Sequence, residues 1–151
     1  AKYYGQNQNL VVLPEDVMTK HGVSQEDFLR FAQGHGAESA LQSGLKDVVF
    51  DTAVVANDHI LTARQKFSRA QELIRLVVSE NLLDEYLGRM ARKWRGGVPD
   101  VLFVPFMTGI PTTLYLRRLE AADFDLMSPK LERKEWRLAW RSYWDYHRRI
   151  I

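Results

Sequence analysis

Val49, Ala53, Ala56, Ile60, Ala63, Phe67, Ala70, Ile74 and Val77 follow one another at alternating four- and three-residue steps. Such spacing keeps every member on one side of an α-helix and is incompatible with the two-residue period of a strand. The segment is therefore predicted to be one long helix with a continuous apolar stripe, which must be covered by other helices. Its alanines allow close approach of a neighbouring helix, whereas Phe67 and Ile74 fill wider gaps.

The flanking segments extend the helical pattern. Residues 1 to 22 read as a polar lead followed by a short extended or helical piece, closed by His21-Gly22. Ser24 offers its hydroxyl to the first amides of a helix through Gln33, with Glu26 and Asp27 near the positive end of its dipole. Gly34-His35-Gly36 ends that helix. A further helix is predicted from Glu80 to Trp94, closed by Gly96-Gly97. Thr112 to Ala122 forms another, broken by Asp123-Phe124-Asp125, and Ser128-Pro129 opens a last helix over Lys130 to Arg149. No repeat or long alternation is present, so the fold class is all-α, organised as a single helical domain over residues 1 to 151.

The longest apolar stretch, Val98 to Leu116, contains Asp100 and the prolines Pro99, Pro105 and Pro111. Proline removes a backbone donor and clashes with the preceding turn, so a continuous membrane-spanning helix is excluded and a buried hairpin or interfacial contact is expected. The chain has no cysteine, which rules out disulfides and thiolate metal sites. A formal charge of only +2 gives no general case for nucleic-acid binding.

Chemistry-bearing patterns are sparse. Asp47 and Asp51 have the spacing that places two carboxylates on one helix face. At ~100° per residue, each lies roughly 120° to 160° from Val49 and Ala53, so the pair is expected on the solvated side. His21, His35, His59 and His147 form no helix-spaced metal pair, and His21, in a turn, suits a structural hydrogen bond. No nucleophile elbow, phosphate loop or dinucleotide fingerprint occurs, and no catalytic, metal or cofactor-binding residue is assigned.

The last helix is the richest segment. Trp136, Trp140, Tyr143, Trp144 and His147 fall on one side, and Arg133, Arg137 and Arg141 recur every four residues along another. Aromatic and basic groups together could contact RNA. The favoured reading is an aromatic stripe facing the core beside an arginine edge that is solvated or binds a partner. Arg133, Arg137, Arg141, Trp136, Trp140 and Trp144 are the candidate partner-binding residues.

Val11-Val12-Leu13-Pro14-Glu15-Asp16 and the run His21-Gly22-Val23-Ser24-Gln25-Glu26-Asp27-Phe28-Leu29-Arg30 resemble the squalene/phytoene synthase family. They are similar in particular to its divergent branch that serves mitochondrial complex I assembly. Asp47-Val48-Val49-Phe50-Asp51, Ala63-Arg64, and Leu119 through Asp125 look like later family segments. The resemblance implies the C-terminal half of an isoprenoid-synthase-like helical bundle. Aligned on Leu13-Pro14, it puts Ala1 and Gly5 where the family's second pair of Mg²⁺-binding carboxylates belongs, and neither side chain supplies an oxygen. A diphosphate leaving group depends on bound cations, so loss of prenyl transfer is expected.

The resemblance thus implies a catalytically inactive scaffold, without cofactor, that binds protein subunits of a mitochondrial respiratory complex on the matrix side or at the inner membrane. A lipid in a residual apolar cavity is compatible with that role. Two other readings stay open: half of a split prenyltransferase, and an RNA-contacting subunit of a mitochondrial ribonucleoprotein.

Overall fold

The computed structural model describes residues 13–34, 39–80, 82–94 and 97–150. Ala1, Gly5, His35 and Gly36, singled out above, lie outside the described residues. Within them the chain is helical, without a strand, as expected. In order come α1 (Glu15–Lys20), α2 (Gln25–Ala32), α3 (Ser39–Ser79), α4 (Glu85–Ala91), α5 (Asp100–Phe103), a 3₁₀ turn (Val104–Thr108), α6 (Gly109–Ala121), α7 (Pro129–Glu132) and α8 (Arg137–Arg148). They form two compact units, Ala1–Asn57 with Tyr115–Arg133 and Asp58–Leu114 with Lys134–Ile151.

The first unit is closed by local chemistry as much as by apolar burial. Ser24 caps α2 by accepting from the Asp27 amide at 3.1 Å, and its hydroxyl meets the Asp27 carboxylate at 2.6 Å. The Ser24 amide returns a hydrogen bond to that carboxylate, completing a capping box. The Ser24 hydroxyl is the main reason that the Asp27 carboxyl titrates below its ordinary range. Gly22 turns the chain with φ +67°, which suits glycine. Met18, Val23, Phe28, Leu45 and Val48 form the buried centre, with Leu13, Val17, Phe31, Leu41 and Leu126 packed around it. Gly44 lets α3 approach this layer, since a Cβ there would lie 3.0 Å from Val23 Cγ2 and 3.3 Å from the His21 carbonyl oxygen.

Asp47 is exposed, as expected, but Asp51 is half-buried and engaged. It accepts from Lys20 Nζ at 2.7 Å and from His21 Nε2 at 2.9 Å, the structural role foreseen for that histidine. Asp123 and Phe124, where α6 was expected to break, both take positive φ. The turn is held by a Lys46–Asp123 ion pair and by an edge-on contact between Phe50 and Phe124 with centroids 5.1 Å apart.

The second unit centres on Phe67, Val98 and Phe103, surrounded by Ile74, Phe106, Met107 and Tyr146. Phe67 is tilted against both Phe103 and Phe106, at centroid separations of 5.4 and 5.1 Å. Pro99 occupies the N-cap of α5, and Pro105 lies in the first two positions of the 3₁₀ turn. Both positions precede the hydrogen-bonded interior of their elements, where a missing amide does least harm. The proline-rich segment is thus a succession of short helical pieces, which corrects the expected hairpin. No helix of the described residues is long and apolar enough to cross a membrane.

Three boundaries differ from expectation. The helix predicted from Glu80 begins only at Glu85, because the Asp84 carboxylate accepts from the Leu87 amide at 2.7 Å and caps a new helix there. The last helix is divided into α7 and α8, with Arg133 extended between them. The intervening run Glu132-Arg133-Lys134-Glu135 has no apolar anchor, and Glu135 Oε1 accepts from the Arg137 amide at 3.2 Å where α8 begins. The stripe on α3 is only partly covered. Val49 and Phe67 are buried, the other seven stripe positions are half-buried, and Val54, Val55, Leu61, Leu73 and Leu76 elsewhere on the helix are exposed.

Candidate interaction surface

Helix α8 lies in the second unit and is held by Tyr146, packed against the Phe103 cluster, together with polar pairs. Its buried positions are Asp145 and, just past its end, Arg149. Arg141 Nε donates to Asp145 Oδ2 at 2.7 Å, one turn earlier on the same helix. Arg149 has a left-handed backbone with φ +55° and pairs with Asp100, which also accepts from the Tyr146 hydroxyl at 2.9 Å. The Arg149 guanidinium stands 4.6 Å from the ring centroids of both Phe103 and Tyr146. A buried cation is costly unless paired, and this one has a carboxylate and two aromatic faces.

The opposite side of α8 is aromatic and open. Trp136, Trp140, Tyr143 and Trp144 are 72%, 62%, 54% and 50% exposed. The expectation that this stripe faces the core is therefore corrected: the inward positions of α8 are taken by the Asp145 and Arg149 pairs, so the indoles turn outward. Tyr143 touches Trp144 and His147 with ring centroids 5.7 and 4.3 Å away, so these three rings form a connected patch.

Arg137 and Arg141 adjoin this surface, and the Arg137 guanidinium stands 5.5 Å from the Trp136 ring. Arg133 does not continue their row, since it is extended and belongs to the first unit. Arg148 takes the third place, with its guanidinium 5.1 Å from the Trp144 ring. The seven-residue step from Arg141 to Arg148 was visible in the sequence and would have identified it.

Clefts lie away from the aromatic face. In the first unit a narrow, largely apolar cleft, open to solvent, is lined by Phe28, Phe31, Leu45, Val49, Phe124 and Met127, with Lys46 beside them. In the second, an open cavity is bordered by Lys93, Trp94, Val98, Pro99, Asp100, Tyr146 and Arg149. Among the described residues no three His, Asp or Glu side chains gather into a group that could hold a metal ion.

No protein-family model matches the chain, and no solved structure gives a significant match. Among curated proteins, the chain is 31% identical over 134 residues to the rat "NADH dehydrogenase (ubiquinone) complex I, assembly factor 6", covering 89% of this chain and 29% of that protein. The bovine protein of the same name is 30% identical over 132 residues, covering 87% and 28%. A Drosophila melanogaster homolog is 33% identical over 86 residues, covering 56% and 24%. The chain thus spans under a third of the length of the curated relatives it matches, and over nearly nine-tenths of its own length it is similar to proteins named for complex I assembly.

Proposed function

We propose that this chain is part of a catalytically inactive, squalene/phytoene-synthase-like protein that acts as an assembly factor or accessory subunit of mitochondrial complex I. The similarity to complex I assembly factor 6 supplies the process. The observation that carries the mode of action is the outward aromatic face of α8. Exposed indole and phenol rings flanked by guanidinium groups are the composition of protein-binding hot spots. Trp136, Trp140, Trp144, Arg137 and Arg141 form the docking surface in this reading. The site of action is the mitochondrion, on the matrix side or at the inner membrane.

The test is complementation. In cells depleted of their own counterpart, the full-length protein restores complex I on native gels. A Trp140→Ala, Trp144→Ala double variant accumulates normally but restores it poorly. Mg²⁺-dependent turnover of a prenyl diphosphate by the purified protein would overturn the non-catalytic part of the reading. Full restoration by the double variant would overturn the role given to α8.

A further inference from the structure

Resting on the reading of α8 as a protein-docking surface, we propose that its partner is an amphipathic helix with an apolar face bordered by carboxylates along one edge. With Leu138 as zero and ~100° per residue, Asp145 and Arg149 point within about 20° of it, and both are buried. Trp136, Trp140, Tyr143 and Trp144 fall between about 140° and 240°, directly opposite. Arg137, Arg141 and Arg148 fall between about 260° and 300°, a single row about 16 Å long. The other edge of α8, near 80° to 100°, holds Ala139 and Tyr146.

The charge is therefore one-sided. A membrane surface offers anionic headgroups alike to both edges of a helix lying on it, and cations on both edges best exploit that field. A row on one edge matches a partner that has a direction of its own. Guanidinium groups recognise carboxylates through a fork of donors at the edge of a plane, while the plane itself stacks on aromatic rings. The positions of Arg137 against Trp136 and Arg148 against Trp144 suit that division, since ring contact limits the freedom lost on pairing. Covering the four aromatic side chains would remove on the order of several hundred Å² from water, a useful share of the ~800 Å² each partner buries in a standard interface.

The probe is a synthetic helical peptide with a leucine face and glutamates along one edge, titrated into the intact protein and followed by tryptophan emission and calorimetry. Two control peptides carry lysines in place of the glutamates, or leucines scattered around the helix. Expected is saturable binding of the glutamate peptide with a blue shift, weakened at least tenfold by R137E/R148E and by W140A/W144A. Helical circular dichroism stays unchanged, because these four side chains lie away from the inward positions of α8, and Arg141 is left in place to pair with the buried Asp145. Equal affinity for the lysine peptide, no binding of the glutamate peptide, or indifference to charge reversal would overturn the inference. So would a blue shift confined to phosphatidylserine vesicles, which would assign the face to an anionic membrane. If complex I assembly is lost with W140A/W144A but retained with R137E/R148E, the docking role stands and the acidic edge falls.

Discussion

His21 Nε2 and Asp51 Oδ2 lie 2.9 Å apart, tying the turn after α1 to the first third of α3 across 30 residues of sequence. Lys20 reaches the same oxygen at 2.7 Å, so one carboxylate fastens two consecutive residues of that turn.

This arrangement gives a pH dependence with a definite sign. The hydrogen bonds from Lys20, first, and His21, second, hold the Asp51 carboxyl below its ordinary range. The folded state then binds fewer protons than the unfolded state across the carboxylate range, so stability rises with pH there. The contribution is complete above the unfolded value and lost as pH falls through the lowered folded one. Asp51→Asn should be less stable than the parent near neutral pH, and the difference should vanish in acid. Urea unfolding at a series of pH values checks this, and a difference that persists in strong acid would contradict it.

Lys46 has the opposite sign. Its hydrogen bond to Asp123 raises its pKa, so its contribution is complete below the ordinary lysine value and lost as pH rises through the raised one. Lys46→Met should lose stability at neutral pH and converge with the parent only in strong base. Thermal scans across the alkaline range provide the comparison.

Two helical glycines should respond oppositely to alanine. At Gly44 a new methyl group meets Val23 at 3.0 Å and the fixed His21 carbonyl oxygen at 3.3 Å, so Gly44→Ala should cost about 1–3 kcal/mol. At Gly88, within α4, nothing lies within 4 Å of the new atom, and Gly88→Ala should stabilise by about 0.5–1 kcal/mol through helix propensity. Denaturant titration of both variants measures the difference in sign.

Phe103 is fully buried and touches the rings of Phe67 and Tyr146 and the Arg149 guanidinium. Phe103→Ala should cost about 3–5 kcal/mol. Trp140→Ala, on the open side of α8, should change stability by less than about 0.5 kcal/mol. The pair separates residues that hold the fold from residues available to a partner, and equal losses would place Trp140 in the core after all.

The α2 cap offers a smaller test. Ser24→Ala removes the hydroxyl that accepts from the Asp27 amide and donates to its carboxylate, and should cost about 1 kcal/mol. It should also move the Asp27 carboxyl back toward its ordinary range, a shift visible by NMR titration.

Periodicity and capping chemistry by themselves determined the all-α class, the long α3, the Ser24 start of α2 and the break after α6, because these depend on neighbours within a few residues. The Asp84 carboxylate and the charged run before Trp136 were legible signals for the shorter α4 and the divided last helix, although helical spacing alone passed over both. Only the tertiary structure decided which side of α8 faces inward. Periodicity says which residues share a side but not what covers it, and here the inner side is taken by Arg149 with Asp100, Phe103 and Tyr146, a partnership spanning up to 49 residues of sequence. Pairing a buried cation required those distant groups, and its consequence is that Trp136, Trp140 and Trp144 stand outside.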